Sequence, residues 1–445
     1  MIFQFNLEGE HLNSYPYARK IGFIEGTLQI YIDRQLFYED IYANVYELAQ
    51  QLAKWLLKLE NGEVVDFLYT CIDSEEHLLQ FHLQGDRVQV YAPYEEQAFE
   101  PLPIETVKQA VLKYCINLHI ALTRIGYKYH LEDELKQLVS ENKWALILFE
   151  SNHYDEAFAI IEKRAKKAPS VESLNNFAYL LLHEEEDYER AWNVLQQLLP
   201  RQPQSDFPYL MLGELALRFK RYQEAKTYLQ QALDFQVSEP VMHNIGIAHF
   251  HLGEYEQAAQ AFSQCAGDSG MVQLYEVMSW LRAGQMEKAK SLLDHFNEQA
   301  DDFIGTSEMA DVYMELGYFS EAHALFAKEW NDYYTMPYSV SRYAYTLWQL
   351  GEYDACQQML QQAILTKQEE IADEKLSEID EHWSEQDCAE RIEELQQELV
   401  ELQSLTGCLA KGFIPPFEFE LYTTGGCQLF GCPLHGHPEY EELVK

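Results

Sequence analysis

Hydrophobic and polar positions change their rhythm along this chain. Within the first 130 residues apolar positions step by two in some stretches and by three or four in others. "GTLQIYID" sets Leu28, Ile30 and Ile32 on one face, the period of a half-buried strand. "NVYELAQQLAKWLLKLE" places Val45, Leu48, Ala49, Leu52, Leu56 and Leu59 on one helical stripe, and Asn61-Gly62 ends it. "VVDFLYTCI" predicts a strand. In "LLQFHLQGDRVQVYA" Leu79, Phe81 and Leu83 alternate, Gln84-Gly85-Asp86 turns, and Val88 and Val90 answer, which predicts a hairpin. A second amphipathic helix is predicted over 105–127. Residues 1–130 therefore read as a small α+β module, one short antiparallel sheet with two helices on one face.

Beyond residue 136 the period of two gives way to near-copies of one stretch. "FKRYQEAKTYL", "LGEYEQAAQAF", "LGYFSEAHALF" and "LGEYDACQQML" share the pattern aromatic-x-x-small. Seven such pairs can be aligned: Tyr154/Ala157, Tyr188/Ala191, Tyr222/Ala225, Tyr255/Ala258, Met286/Ala289, Phe319/Ala322 and Tyr353/Cys356. Their small members follow one another at 34, 34, 33, 31, 33 and 34 residues. A second small residue stands about twelve positions upstream in most copies: Ala145, Gly213, Gly246, Ala310 and Ala344, with Ala178 one residue out of step and Val277 breaking the rule. A fixed period near 34 is the mark of stacked helix pairs. Small residues let two antiparallel helices approach, so each upstream Gly or Ala is expected to face the Ala of the second helix. Pro169 and Pro203 stop their helices before the next copy begins.

On these residues, 136–370 resembles an array of tetratricopeptide repeats. The fold class expected is mainly α, a repeat solenoid preceded by the small α+β domain. The fifth repeat, with Met286/Ala289, is expected to be irregular. In this family function lies on the concave face made by the first helices. By the repeat phase that face carries Phe207, Leu210, Glu214, His243, Ile247, Phe250, Met278, Asp311, Met314, Tyr345 and Trp348. The resemblance implies that these residues bind a protein or peptide, and a lining of Met and aromatic side chains suits an apolar segment. The basic and Asn cluster by which some family members clamp a terminal carboxylate is not evident.

Composition narrows the partner. The 445 residues hold 73 acidic against 32 basic side chains, a formal net charge of -41. Such a surface repels phosphate backbones and anionic lipid, so neither nucleic acid nor membrane is expected, and a basic protein is favoured. The start lacks the basic region and long apolar stretch of a signal peptide, and eight cysteines are scattered singly. A cytoplasmic setting is the simplest expectation. The acidic α+β module also resembles bacterial immunity proteins in size, charge and element order. That makes capture of a basic effector the sharper alternative to a general scaffold.

After the repeats, residues 371–410 read as acidic capping or coiled-coil helices. Cys388, Ile392, Leu395, Leu399 and Leu402 step by 4, 3, 4 and 3. The tail, 411–445, holds the only stretch where chemistry is expected. Phe417, Phe419 and Leu421 alternate as in a strand, and then come Cys427, Cys432, His435 and His437. Two thiols and two imidazoles can supply a tetrahedral zinc set, and "CPLHG" resembles the turn of zinc knuckles with His435 in place of a second Cys. A structural clip is the expected role of zinc there; the alternative is a metal-dependent enzyme centred on this cluster. Phosphate loops, nucleophile elbows and His-Glu-x-x-His spacing are absent from the sequence, so no enzyme is expected.

Overall fold

The computed structural model describes residues 1–7, 24–71, 77–93, 99–127, 131–265, 269–296, 305–330, 335–377, 379 and 383–444. The chain forms two compact units, one of residues 1–211 with 426–445, the other of 212–425.

The first unit opens with two antiparallel sheets. Strands β1 (Ile2–Leu7), β2 (Glu25–Ile32) and β3 (Gln35–Asn44) make one, in that order. Strands β4 (Phe67–Thr70), β5 (His77–Gln84), β6 (Arg87–Tyr91) and β7 (Leu102–Pro103) make the other. This corrects the single sheet expected. β3 was missed because it alternates poorly: its pairing with β2 shifts register twice, and most of its side chains are not buried. Asp33 and Arg34, both at positive φ, close its hairpin without the Asn-Gly signal that usually announces one. Helices α1 (Val45–Glu60) and α2 (Ile104–Arg124) pack together, and the buried Tyr114 hydroxyl donates to the Val45 carbonyl at 2.8 Å. One continuous core joins Ile30, Leu52, Phe81 and Val111 to Trp144 and Ile147 of the first repeat.

Short α3 (Glu132–Leu138) leads into the helix hairpins. The first unit holds α4 (Glu141–Glu150) with α5 (Tyr154–Lys167), and α6 (Val171–His183) with α7 (Tyr188–Leu198). Then follow α8 (Phe207–Arg218), α9 (Tyr222–Leu233), α10 (Glu239–His251), α11 (Tyr255–Ser263), α12 (Gly270–Arg282), α13 (Met286–Leu293), α14 (Thr306–Glu315), α15 (Phe319–Glu329), α16 (Pro337–Leu350) and α17 (Tyr353–Glu374). Each of the seven aromatic-x-x-small pairs starts a second helix. The small second-helix residues Ala157, Ala191, Ala225, Ala258, Ala289, Ala322 and Cys356 are all fully buried or nearly so. The fifth copy has the shortest second helix, α13, at 8 residues.

The close approach differs from expectation in one respect. A Cβ at Gly213 would lie 2.5 Å from the Leu229 side chain, and one at Gly246 would lie 2.7 Å from the Phe262 ring. The glycines thus make room for a large residue one helical turn beyond Ala225 and Ala258, not for the alanines themselves. Overlap of that size forces side chains off their rotamers.

Helix α18 (Glu385–Leu409) packs on α16 and α17, burying Leu395, Leu402, Leu405 and Leu409. The seam therefore closes on the chain's own last hairpin, and Leu399 is only partly covered. Lys367, 1% exposed, is held between Glu398 at 2.6 Å and Glu370 at 2.8 Å. After α18 the tail is extended and irregular until the short α19 (Tyr440–Leu443).

Candidate functional site

A segment without secondary structure must still satisfy its backbone polar groups. The tail satisfies them with side chains of the first helices. In the second unit, the Asn244 amide on α10 reads both polar groups of one peptide residue: its Oδ1 accepts from Thr424 N at 3.0 Å, and its Nδ2 donates to Thr424 O at 2.7 Å. His243 Nε2 meets the Tyr422 carbonyl at 2.9 Å, and the Tyr275 hydroxyl on α12 accepts from Tyr422 N at 3.1 Å. Phe419 packs on Phe250 and Tyr275, both at 5.8 Å between ring centroids, and stacks with Phe417. Further back, fully buried Arg342 on α16 holds Asp311 (Nε to Oδ1, 2.8 Å) and Glu315 (2.7 Å). Its guanidinium also lies 5.0 Å from the Phe417 ring and 3.5 Å from the Pro415 and Pro416 carbonyls. Tyr338 donates to the second Asp311 oxygen at 2.8 Å. Burial lifts the Asp311 carboxyl above its usual range, with Arg342 and Tyr338 pulling the other way.

The first unit repeats the device. Asn176 on α6 accepts from Phe430 N and donates to Phe430 O, both at 2.8 Å. Asn175 donates to Gln428 O at 2.6 Å, Asn142 on α4 to Phe430 O at 3.0 Å, and Lys143 to Gly431 O at 2.5 Å. Ser140, the N-cap of α4, donates to Glu439 Oε1 at 3.2 Å, and Asn142 donates to its Oε2 at 2.6 Å. Gly431 sits at φ +85°, where a Cβ would lie 2.7–2.8 Å from Glu439 and Asn142, so this turn admits glycine alone.

Beyond the turn the tail brings sulfur and nitrogen together. One ligand atom each of Cys427, Cys432 and His435 lies within 4.8 Å of the others. His435 Nδ1 is 3.3 Å from Cys432 Sγ, and Glu150 Oε1, at the end of α4, is 3.6 Å from the same sulfur. The neighbouring Cys427 thiol above all, with the His435 and Leu434 backbone and the His435 ring, draws the Cys432 thiol far below its usual range against the burial that would raise it. Cys427 is pushed up in turn. Burial, then the neighbouring Cys432, raises Glu150 to about 7. His437 stands outside the cluster: its Nδ1 meets the Leu429 carbonyl at 3.1 Å and its ring lies on Phe207.

The expected partner-binding residues divide. Phe207 packs on Phe430 at 5.0 Å in the first unit, where Leu210 is buried. In the second unit His243, Phe250 and Asp311 lie at the tail as described. Ile247 and Phe250 line a cavity of about 370 Å³ together with Phe419, Leu421 and Tyr422. Glu214 is buried and pairs with Arg218 on its own helix at 2.9 Å. Met278 and Met314 are core residues, while Tyr345 meets Phe319 and Trp348 meets Tyr353. The sequence reading missed Asn142, Asn175, Asn176, Asn244, Tyr275 and Arg342. A signal was present: Asn142, Asn176 and Asn244 stand 34 and twice 34 residues apart. A polar residue recurring at the repeat period, inside helices that are otherwise apolar, marks a face that must meet something polar. The asparagines hold the backbone of the chain's own tail.

The tetratricopeptide repeat family matches residues 208–236, 239–267 and 339–369. Residues 3–124 match a domain of unknown function, DUF7878. No curated protein matches the sequence. Among solved structures, similar chains include a tetratricopeptide repeat protein from Parabacteroides merdae, at 15% identity over 50% of this chain and 88% of that one, TM-score 0.32. Yeast Tom70 is 14% identical over 68% of this chain and 61% of its own, TM-score 0.33. The TPR2AB domain of yeast Sti1, solved in a pHSP90 complex, is 16% identical over 59% and 97%, TM-score 0.23. Likenesses at these scores carry no argument about architecture or partners. The architecture rests instead on the family match, the period and the hairpin packing: the hairpins from α4 to α17 are tetratricopeptide repeats, preceded by the α+β strands and helices whose core runs on into the first repeat.

Proposed function

We propose that this protein is an interaction scaffold, without chemistry of its own, whose first-helix face binds an extended protein segment at the place now taken by residues 415–425. The observation that carries this reading is the Asn244 clamp: a side-chain amide that pairs with both polar groups of a peptide residue recognises extended backbone whatever its sequence. The tail supplies the template for the ligand. Its aromatic side chains at alternate positions, Phe417 and Phe419, are the anchors, as such side chains are in peptide grooves. The second unit is not filled by it. One cavity, of about 370 Å³, adjoins Phe419 and Tyr422; another, of about 480 Å³ between His243, Val272 and Tyr275, adjoins Thr424. The net charge of -41 favours a partner with basic flanks, and a basic effector of the kind neutralised by immunity proteins is the narrower form of the same reading.

The test is a peptide-display selection on the full chain carrying Phe417→Ala and Phe419→Ala, which loosen the tail at its anchors. Extended peptides with aromatics two residues apart should be enriched, should be displaced by a synthetic peptide of residues 413–425, and should bind more weakly as salt rises. Selection that enriches nothing, or that proceeds equally well on the same chain with Asn244→Ala, rejects the reading.

A further inference from the structure

The cluster at the end of the first unit gathers two thiols, an imidazole and a carboxylate at spacings close to those of a metal's ligands. A tetrahedral zinc with bonds of roughly 2.3 Å to sulfur and 2.0–2.2 Å to nitrogen and oxygen sets its ligand atoms roughly 3.3–3.8 Å apart. Cys432 Sγ stands 3.3 Å from His435 Nδ1, and with Cys427 these two form a group whose ligand atoms lie within 4.8 Å of one another. Glu150 Oε1 touches that group at the Cys432 sulfur, 3.6 Å away, and must shift inward to reach an ion shared with the other two. Cys432 is fully buried, and the Glu150 side chain is 11% exposed.

From this we infer that Cys427, Cys432, His435 and Glu150 form a structural zinc site that ties the tail to helix α4. The fourth ligand comes from the first repeat and not from His437, which the sequence spacing had suggested. A site confined to the tail would close only a small loop. One that includes Glu150 joins residues 282 positions apart in the chain.

The surroundings fit a metal in three ways. The turn that carries Cys432 and His435 is closed by its own backbone, Cys432 N to Leu429 O at 3.2 Å and His437 N to Cys432 O at 3.0 Å, which holds the two side chains on one side as a knuckle turn does. Glu150 has its second oxygen held by Arg124 Nη2 at 3.1 Å, so the carboxylate is oriented with Oε1 toward the sulfur. Arg124 Nε also grips the Glu150 carbonyl at 2.6 Å, which fixes the end of the helix that presents the ligand. With two thiolates and one carboxylate around the ion the site carries one negative charge, which the Arg124 guanidinium faces. Four protein ligands leave no position for a water, so the site serves the fold and no hydrolytic role follows from it.

The experiment uses the full chain purified under reductant. Metal analysis should find one zinc per chain, and cobalt in its place should give the intense visible absorption of tetrahedral Co²⁺ with thiolate charge transfer. Zinc affinity, read by competition with a chromophoric chelator, should fall at least about tenfold in Glu150→Ala and stay unchanged in His437→Ala. Cys427→Ser is the partly exposed thiol variant; its far-UV circular dichroism should match the parent while the cobalt spectrum is lost. Chelation should open residues 426–440 to protease and leave 415–425 as before. The proposal fails if zinc binds the parent no more tightly than the Cys427→Ser/Cys432→Ser chain, or if the cobalt spectrum is octahedral. It fails equally if His437→Ala weakens binding and Glu150→Ala does not. A Cys427–Cys432 disulfide that survives the reductant, with no zinc bound, would replace the site with a redox pair.

Discussion

Residues 428–433 are buried at every position, whereas from 413 to 425 only Pro415 is buried, and from 416 to 423 exposed and partly covered positions alternate. Both stretches belong to one tail, and each has a peptide residue read from both sides by one asparagine: Phe430, at the mouth of a turn, by Asn176, and Thr424, in irregular chain, by Asn244. The difference lies in what surrounds the clamp. Around Phe430, Asn142 shares its carbonyl, Asn175 and Lys143 take those of Gln428 and Gly431, and the stretch is buried. Around Thr424 the neighbouring Tyr422 side chain is 62% exposed and open cavities adjoin the tail. An amide pair counts for more where water cannot replace it. The same recognition element is therefore closed to water in the first unit and open to it in the second, and the proposed exchange with a partner requires that the second be the looser contact.

The sharpest way to break this contrast is at Arg342. It is fully buried between Asp311 and Glu315, and it touches the tail at Pro415, Pro416 and Phe417. Arg342→Met leaves the Asp311 carboxylate buried without its partner, at a cost of about 3–5 kcal/mol. The second unit should melt earlier by calorimetry. Protease should cut between 413 and 425 while 426–440 stays protected. Equal cleavage of both stretches would mean that the tail is released as one piece.

The asparagines come next in size. Asn176→Ala strips Phe430 N of its acceptor in a site closed to water, at about 2 kcal/mol. Asn244→Ala exposes Thr424 to a site that water can enter, and should cost about 1 kcal/mol. Denaturant melts of each unit, with hydrogen exchange at Phe430 and Thr424, read the two losses. If Asn244→Ala proves the costlier, the second stretch is no looser than the first, and the proposed exchange with a partner loses its physical basis.

How much of this was legible in the sequence follows from what each residue must satisfy. The hairpins were legible because Tyr222, Ala225 and their equivalents answer to packing inside a repeat, and packing recurs at the repeat period. The α1 stripe was legible for the same reason: Val45, Leu48 and Leu52 need only a local period. β3 was not, since its exposed edge asks for no alternation. The tail was half legible. The alternation of Phe417, Phe419 and Leu421 announced an extended segment, but a strand is only one way to satisfy extended backbone, and here helix side chains do it instead. The contact of Glu150 with the Cys432 sulfur was out of reach, because nothing local to the end of helix α4 records a sulfur brought from residue 432.

The smallest expected effect concerns His243 and tests the exchangeable stretch by pH alone. Its Nε2 meets the Tyr422 carbonyl and so carries the proton of a neutral ring, while burial holds its pKa below the ordinary 6.5; the Tyr422 carbonyl and Glu239 oppose that burial without cancelling it. Between the lowered value and 6.5 the folded second unit thus binds fewer protons than the released chain. Acid then favours release: the stability that His243 lends is present above 6.5 and is lost as pH falls through the folded value. Hydrogen exchange at Tyr422 and Thr424 should accelerate from about pH 7.5 to about pH 5.5, after correction for the intrinsic rate, while Phe430 holds its protection. His243→Gln keeps a donor for the Tyr422 carbonyl and has nothing to titrate, so the acceleration should vanish in that variant. If it persists, another group governs the loosening and the histidine only packs against Phe262 and Tyr275. If Phe430 loosens along with Thr424, the two stretches share one equilibrium, and the contrast between anchor and exchangeable contact is gone.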